Sequence, residues 1–333
     1  AARLELSDVN LYHINSTITV PVTRAASCSL FELLADGVAV QPEWYVSHTW
    51  GEPWSNTMRC LAKHRNDRKY AEDAGVWICA FANNQHELES AVTADPTESA
   101  FYPAMTNAKM GAVTVIGADG GLFGRVWCGF EAHEAIRLAS TRPYLYDVLT
   151  PLAVGNDVAR IYDGLLEGEI PYEKSGQEER FSLDVARKAL DFAIEETKAA
   201  VQADWDGIMH HVRAVGAGPA AVDATVRSRF LVGAVRALWK DADALAAAEK
   251  VLEVMPASSL SVISVDAEGQ APENWVGGKL VPRLPTKTLT TLTLVSCDLQ
   301  DTGAAAVGQF LASNGALELK ELYLDNNKIA DAG

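Results

Sequence analysis

A leucine pattern near the end of the chain repeats at an interval of 30 positions, from Leu289 to Leu319. The two copies are Leu289-x-x-Leu292-x-Leu294-x-x-Cys297-x-Leu299 and Leu319-x-x-Leu322-x-Leu324-x-x-Asn327-x-Ile329. Each copy is followed by an acidic residue and then a glycine, in Asp301-Thr302-Gly303 and Asp331-Ala332-Gly333. Repeats of this length are supersecondary units that cannot bury their apolar face alone. The end of the chain must therefore fold as a stack of neighbouring units.

The repeat resembles the leucine-rich repeat. Cys297 and Asn327 occupy its ladder position, and the helix-length spacer over residues 304–314 resembles the ribonuclease-inhibitor type. At least about three units are needed for stability, and fewer than two are visible. We expect either that the helical block before the repeats caps the first unit or that more repeats follow Gly333.

Composition limits the classes of protein to consider. The chain has 333 residues, 48% apolar and 22% charged, which is enough to bury one or more ordinary cores. Its formal charge of −16 argues against nucleic acid as a partner, because phosphate binding needs a basic surface. No apolar run approaches the roughly 20 residues that cross a bilayer, and no secretory signal opens the chain. We expect a soluble, acidic protein without a membrane span.

Cysteine usage and the chain ends bear on the compartment. The cysteines are odd in number, widely separated and form no C-x-x-C pair: Cys28, Cys60, Cys79, Cys128 and Cys297. This pattern indicates a reducing compartment and no structural zinc. The chain begins at Ala1 without a methionine and stops inside the repeat, which indicates a processed or truncated piece. We expect an intracellular protein, cytoplasmic by default, with an organelle after transit-peptide removal as the alternative.

Between residues 42 and 150, short apolar runs alternate with helix-length amphipathic stretches, the pattern of a parallel sheet covered by helices. The predicted strands cover residues 44–47, 76–81, 112–116 and 144–149. The predicted crossover helices cover residues 54–68, 97–110 and 122–140. Right-handed crossovers bring the carboxyl ends of such strands to one edge, where ligands usually bind.

Residues 182–250 are alanine-rich, with apolar residues at helical spacing. The Gly-Ala-Gly-Pro run at 216–219 predicts a break between one long helix and a second over residues 221–237, with a third helix to residue 252. A strand is predicted over 260–265. The predicted order is an N-terminal extension (1–40), a parallel α/β domain (41–150), a helical connector (151–256), a mixed linker or capping segment (257–288) and the repeats (289–333).

Two motifs carry a resemblance over residues 40–150. They are Tyr45-Val46-Ser47-His48, at the end of the first strand, and Trp127-Cys128-x-x-Glu131, in a predicted helix. With the order of elements, they resemble the TIR-like (Toll/interleukin-1 receptor-like) superfamily of immune and cell-death signalling, whose domain is a small parallel flavodoxin-like sheet. The loop Ser47-His-Thr-Trp-Gly-Glu-Pro more closely resembles TIR-like proteins of algae and other protists.

The resemblance implies a site. In TIR domains that cleave NAD, the catalytic glutamate follows a Trp-Cys pair, and Trp127 and Glu131 match its spacing. A carboxylate there would stabilise the oxocarbenium-like centre as nicotinamide leaves. His48 is a second catalytic candidate, as an acid or base near neutral pH. The expected binding residues are Ser47, Trp50, Glu52, Asn83 and Trp127; NAD is the expected substrate, with no required cofactor and no metal.

Each candidate also has a structural interpretation. Packing is favoured for Trp127 and Cys128, since both residue types are commonly buried. Glu131 fits a solvated helix face, and His48 fits a hydrogen-bonded loop equally well. A nucleophile built from Cys128 and His48 or His133 is disfavoured.

Two further polar segments follow predicted strands. The cluster at residues 83–86 suits ribose or amide groups, but a turn that satisfies its own backbone explains it equally well. The glycine-rich run at 117–124 lacks the G-x-G-x-x-G order and a P-loop lysine, which favours a tight turn over a phosphate site.

Two functions remain open at this point. The first is a signalling protein that joins a TIR-like domain to leucine-rich repeats, with NAD cleavage at Glu131 and activation by self-association. The second is a non-catalytic scaffold or accessory subunit that binds proteins through both surfaces, with an acidic charge that favours a basic partner. Convergence of His48, Glu52 and Glu131 on one pocket would favour the first.

Overall fold

A computed structural model describes residues 5–36, 38–87, 95–152, 157–214, 218–253, 262–267, 269, 271–284, 289–313 and 318–330. The chain forms two compact units. The first comprises Ala1–Val158 and Ala193–Val222, and the second comprises Ala159–Phe192 and Asp223–Gly333. The fold is mixed α/β with small parallel sheets, and none of the helices described has the length and apolar character needed to cross a membrane.

The first unit is built on parallel strands whose order across the sheet is β2-β1-β3-β4. These strands are β1 (Trp44–Ser47), β2 (Val76–Trp77), β3 (Gly111–Val115) and β4 (Leu145–Pro151). The helices of this unit are α1 (Leu11–Ile14), α2 (Val20–Thr23), α3 (Leu30–Leu34), α4 (Trp54–Arg68), α5 (Cys79–Ala82), α6 (Phe101–Asn107), α7 (Val126–Thr141) and α10 (Gln202–Ala214). Shorter 3₁₀ or π turns cover Leu6–Asp8, Asn15–Thr19, Gly121–Gly124 and Ile194–Glu196.

The central strands of this sheet agree closely with the apolar runs of the sequence. Every residue of β1 and of β3 is buried, as expected for strands covered on both faces. The second predicted strand, 76–81, was too long, because after Trp77 the chain turns into α5. As β2 is the outermost described strand on its side of the sheet, only one neighbour holds it extended. A short apolar run does not distinguish a strand from a buried helical turn.

Residues 5–36 belong to the first unit and are tied to the loop that follows β1. The backbone amide of Leu11 donates to the Trp50 carbonyl at 3.1 Å, and the amide of Trp54 donates to the Val9 carbonyl at 2.7 Å. The ring of Tyr12 lies 5.4 Å from the ring of Trp50. The predicted N-terminal extension over 1–40 is therefore, as far as it is described, part of the wall around the end of β1.

A carboxylate on β4 is buried and paired with two basic side chains of α4. Asp147 accepts hydrogen bonds from Arg68 at 2.7 and 2.8 Å and lies 2.9 Å from His64 Nε2. Burial alone would raise the pKa of Asp147, but the charge of Arg68 and the hydrogen bonds from His64 and Arg68 outweigh it and hold the pKa well below its ordinary range. This contact holds α4 against the sheet.

We expect Asp147→Asn to lower the free energy of unfolding by about 3 to 5 kcal/mol, because Arg68 would stay buried without its counter-charge. Urea unfolding followed by tryptophan fluorescence measures this. Since the pKa of Asp147 is depressed in the folded state, its contribution is present above the unfolded pKa of about 3.9 and fades as the pH falls below it. The control is Glu72→Gln, which removes an exposed ion pair with Arg65. If Asp147→Asn lowered the free energy of unfolding no more than this control does, the expectation would be contradicted.

The second unit contains a parallel sheet in the order β6-β7-β8. The strands of this sheet are β6 (Val262–Asp266), β7 (Thr291–Val295) and β8 (Glu321–Tyr323). Most of a further strand, β5 (Val158–Ile161), also falls within the residues of this unit but is not part of this sheet. The helices that lie wholly or mostly in this unit are α8 (Pro171–Glu178), α9 (Leu183–Leu190), α11 (Pro219–Gly233), α12 (Val235–Leu238), α13 (Ala242–Glu253) and α14 (Asp301–Ser313). A π turn and a 3₁₀ turn cover Val276–Leu280 and Val281–Arg283.

The repeat of the sequence is a repeat of structure across β7 and β8. Thr291 pairs with Glu321, and Cys297 and Asn327 follow the two strands at matching positions. The Asn327 side chain accepts from the amides of Cys297 (2.9 Å) and Leu299 (3.1 Å) and donates to the carbonyls of Leu294 (2.6 Å) and Leu324 (2.8 Å). One side chain, Asn327, therefore joins the two copies of the repeat. The echo at residues 331–333 lies outside the described part of the chain.

A third strand precedes the two that the repeat predicted. β6 pairs with β7 in the register Val262↔Thr291, and helical turns over 276–283 follow it as α14 follows β7. Helix α8 covers the free edge of β6, where the Asp266 amide donates to Ser175 Oγ at 3.0 Å and the Ser264 hydroxyl donates to the Pro171 carbonyl. The first strand of this sheet is thus covered by α8, which lies before the alanine-rich block over 182–250 in sequence.

The long helix predicted before residue 216 was wrong, and residues 215–217 of its expected break lie outside the described part of the chain. Ala193 and Thr197 are extended, and the chain re-enters a helix only at α10. Lys198 instead pairs with the start of α7, donating to the Gly124 carbonyl at 2.9 Å and accepting from the Val126 amide at 3.1 Å. This backbone pairing overrides the helical spacing of the sequence. It also divides the expected connector over 151–256 between the two units.

We expect Asn327→Ala to destabilise the repeat sheet by about 1 to 3 kcal/mol, because buried backbone groups would lose their partners. Hydrogen exchange should show faster exchange at the amides of Cys297 and Leu299. The exposed Gln309→Ala change on α14 is the control and should leave both amides unaffected. Unchanged protection in Asn327→Ala would mean that the ladder does not hold the repeats together.

Candidate active site

A cavity of about 460 Å³ lies in the first unit where β1 and β2 end. Its volume is in the range of small-molecule sites. The residues that line it come from the N-terminal segment, the loops after both strands, α6, α7 and the start of α10: Tyr12, Tyr45, Val46, His48, Trp50, Cys79, Asn83, Gln85, Phe101, Arg125, Trp127, Cys128, Glu131, Ala200, Val201, Ala203 and Asp204. The wall is largely aromatic and apolar, with a few polar groups.

Glu131 lies at this cavity with both carboxylate oxygens hydrogen-bonded. Tyr45 donates its hydroxyl to Oε1 at 2.6 Å, and Ser47 donates its hydroxyl to Oε2. Residues two apart on a strand point to the same face, so β1 presents both hydroxyls to α7 together. Glu131 is only 7% exposed, so the expectation of a solvated helix face is wrong.

Burial raises the pKa of Glu131 to about 7. The hydrogen bonds from Ser47 and Tyr45 and the charge of Arg125 act in the opposite direction without cancelling the cost of burial. The structure shows no ion-pair partner for Glu131 among the residues it describes. A carboxyl group that exchanges its proton near neutral pH is suited to acid–base chemistry.

Aromatic side chains form one wall of the cavity. The rings of Phe101 and Trp127 are stacked with centroids 4.9 Å apart, and the ring of Trp77 meets Phe101 edge-on at 5.6 Å. Trp127 Nε1 donates to Asp204 Oδ2 at 3.2 Å, which fixes the indole against α10. Such a wall suits a flat, apolar ring, although Trp127 also packs as its residue type predicts.

Among the described residues that line the cavity, Arg125, the residue before α7, is the one lysine or arginine. Arg125 is half-buried, and its guanidinium has no hydrogen-bond or ion-pair partner in the described part of the chain. Its charge lowers the pKa of Glu131, Cys79 and Cys128. An unpaired guanidinium in a cavity is a ready anchor for a phosphate or carboxylate group of a ligand.

His48 and Cys128 lie together but do not form a nucleophile pair. Burial lowers the pKa of His48 to about 4, so the imidazole is neutral at pH 7 and unsuited to act as a general acid. The Cys128 thiol contacts the carbonyl of His48 at 3.8 Å, and burial raises its pKa. A protonated, buried thiol is a poor nucleophile. The neutral imidazole lies at the cavity with Nδ1 3.4 Å from the Val46 carbonyl, and its catalytic role stays a prediction.

The polar cluster after β2, at residues 83–86, was expected either to bind a ligand or to stabilise its own turn, and its members differ in this respect. Asn84 accepts from the His86 amide at 3.0 Å and donates to the Ser27 carbonyl at 2.7 Å, so it stabilises the turn. Asn83 and Gln85 line the cavity. Gln85 Nε2 donates to the carbonyls of Cys79 (3.3 Å) and Asn83 (3.1 Å), which fixes the orientation of its amide.

The structure brings most of the predicted site residues together. His48, Trp50, Asn83, Trp127 and Glu131 line the cavity, and Ser47 binds Glu131 beside it. These positions show proximity and leave the roles as predictions.

Glu52 is the exception: it does not line this cavity, so of the three residues expected to converge only His48 and Glu131 do so. Its carboxylate accepts from Asn56 at 2.7 Å and lies against Gly117, where an added Cβ would collide with Oε2. The first turn of α4 thus directs Glu52 to the turn after β3. That turn contains a left-handed Gly120 and a 3₁₀ turn, as the tight-turn interpretation predicted.

Several cavity residues were not predicted as site residues. Tyr45 was detectable, since it lies two positions before Ser47 on the same strand. Arg125 lies two positions before Trp127, but no sequence pattern indicated that its side chain reaches the cavity. Asp204 is 77 positions from Trp127 in the sequence, and the pairing of Lys198 with the start of α7 brings the chain that leads to it beside that helix.

The comparisons with known proteins give no family for this chain. No family model, no curated protein and no solved structure matches it. The described residues also contain no group of three His, Cys, Asp or Glu side chains placed to hold a metal ion.

Glu131→Gln should become more stable relative to the unmodified protein as the pH rises. Between the ordinary pKa of 4.5 and the folded value of about 7, the folded state binds more protons at Glu131 than the unfolded state does. The carboxylate therefore costs stability as the pH rises through this window, and glutamine does not. We expect the difference in unfolding free energy to shift by about 3 kcal/mol in favour of Glu131→Gln between pH 4 and pH 8. A pH-independent difference would contradict the raised pKa.

Proposed function

We propose that the protein is a TIR-like signalling protein with leucine-rich repeats, and that its first unit hydrolyses the N-glycosidic bond of NAD. The observation that carries the catalytic part is the buried carboxyl of Glu131 at a cavity with an aromatic wall and the Arg125 guanidinium, which has no partner among the residues described. The strand order β2-β1-β3-β4 supports it, since ligands of open α/β sheets bind at the carboxyl ends of the strands.

The chemistry follows from what a carboxylate can do at such a position. As the bond between ribose C1′ and the nicotinamide nitrogen breaks, the electron pair stays on nitrogen and nicotinamide leaves as a neutral molecule. Positive charge develops at C1′, and the ionised Glu131 carboxylate stabilises it. A water molecule then adds to C1′, and Glu131 takes up the proton that this water loses. The products are nicotinamide, ADP-ribose and one proton.

The cavity offers a plausible place for each part of this substrate. Phe101 and Trp127 provide an apolar surface for the nicotinamide ring. Arg125 provides a positive charge for the pyrophosphate. Tyr45 and Ser47 hold the Glu131 carboxylate in one orientation, so it need not be ordered when substrate binds.

We assign partner binding to the second unit. The parallel sheet β6-β7-β8 and the Asn327 ladder support a leucine-rich-repeat arrangement, whose concave sheet commonly binds proteins. The side chains of Leu322 and Tyr323 on β8 are exposed. The acidic net charge of −16 favours a basic partner. This surface also supports the alternative function, a scaffold without catalysis.

The test is nicotinamide release from NAD by purified protein immobilised on beads, which imposes the self-association expected of a TIR-like domain. We expect release by the unmodified protein and a loss of at least about a hundredfold in Glu131→Gln, the size of effect typical of a catalytic carboxyl. Glu98→Gln, which changes an exposed carboxylate outside the cavity, is the control and should keep full activity.

The pH profile adds a second measurement on the same samples. Because the reaction uses the ionised form of Glu131, the rate should rise with pH through about 7 and then level off. Absence of release at every pH from both the clustered and the free protein would reject catalysis and leave the scaffold function.

A further inference from the structure

Two buried polar atoms at the cavity have no partner within the described residues. They are His48 Nε2 and Gln85 Oε1. Buried polar atoms are paired in the great majority of cases, with protein, water or ligand, so an unpaired one at a cavity is a candidate position for a ligand donor group. His48 is 7% exposed, so bulk water has little access to its ring.

Both of these atoms are hydrogen-bond acceptors. His48 Nδ1 lies 3.4 Å from the carbonyl of Val46, and a carbonyl only accepts, so Nδ1 carries the ring proton and Nε2 carries the lone pair. Burial lowers the pKa of His48 to about 4, which keeps the ring neutral at pH 7. Gln85, which lines the cavity, directs its NH₂ group to two backbone carbonyls, so the amide oxygen is the acceptor left without a partner among the described residues.

A ligand that satisfies this pair must therefore donate. A carboxylate or a ring carbonyl would face two acceptors and would leave them unpaired, which costs affinity. An NH₂ group carries two protons and matches two acceptors. The aromatic side chains of Trp50 and Trp127 on the same cavity favour a flat ring as the body that bears it.

We propose that His48 and Gln85 recognise an exocyclic NH₂ group on a planar heteroaromatic ring of the ligand. This deepens the proposed function and rests on the same cavity, since NAD carries such a group twice, as the carboxamide of nicotinamide and as the amine of adenine. The two residues thus determine specificity and take no part in bond breaking.

The test compares binding within two matched pairs of molecules that the proposed reaction does not consume as its substrate. Nicotinamide is compared with nicotinate, in which a carboxylate replaces the carboxamide. AMP is compared with IMP, in which a carbonyl replaces the amine. Ligand-observed NMR titration of the full chain at pH 7.5 gives the four dissociation constants.

We expect the NH₂-bearing member of one pair to bind about tenfold more tightly than its partner, and the pair that shows this identifies the ring. The preference should fall to within about threefold in Gln85→Met and in His48→Phe, which remove one acceptor each while keeping bulk. Gln41→Met, at an exposed glutamine outside the cavity, is the matched control and should keep the preference.

The inference is overturned if both pairs bind equally, if nicotinate or IMP binds better, if none of the four binds, or if the preference survives both cavity substitutions. The comparison within the unmodified protein holds even where a variant fails to fold. Nicotinamide release without any preference would reject this inference alone, whereas a preference without release would reject the hydrolase and keep the recognition.

Discussion

The arrangement of the first unit depends on a carboxylate that is buried without a cation in contact. Glu131 accepts hydrogen bonds from the hydroxyls of Tyr45 and Ser47. These two bonds join helix α7, which carries Glu131, to the central strand β1. The comparison with Asp147 in the same unit is instructive. Asp147 is also buried, but Arg68 compensates its charge and the pKa of Asp147 falls, whereas the pKa of Glu131 rises to about 7. The first carboxylate stabilises the fold, and the second one costs stability.

A group that costs stability is retained most readily where it has a use. The surroundings of Glu131 agree with a use in ligand binding. The cavity that Glu131 lines has an aromatic wall, and three of its lining residues carry polar groups without a partner in the described part of the chain: Arg125, His48 and Gln85. None of these features is needed to pack a parallel sheet. Together they describe a site for a ligand with a flat ring, a donor group and a negative charge.

The sequence predicted the parts of the fold that depend on local pattern. Strands β1, β3 and β4 and helix α4 follow from apolar runs and helical spacing, and the four-residue spacing of Trp127 and Glu131 placed both on one helix face. The repeat placed Cys297 and Asn327 at matching positions of its two copies, and the strands before them, β7 and β8, pair in the structure.

What escaped prediction depends on contacts between distant segments. The pairing of Lys198 with the start of α7 breaks an apparently continuous helical pattern and brings Asp204 to Trp127. Glu52 follows the cavity residue Trp50 by two positions in the sequence. Its carboxylate nevertheless bonds to Asn56 of α4 and lies against Gly117, in the turn after β3. The protonation of Glu131 and His48 depends on how completely each is buried, and no sequence pattern reports that.

The central claim is that Glu131 faces the scissile bond of a bound nucleotide. The most direct measurement is a crystal structure of Glu131→Gln with NAD, in which the substitution prevents turnover. The account predicts C1′ of the nicotinamide ribose beside the side chain at position 131, within about 4 Å, a near-attack distance for a group acting on that carbon. NAD bound elsewhere on the chain, or with its nicotinamide ribose turned away from position 131, would contradict the account.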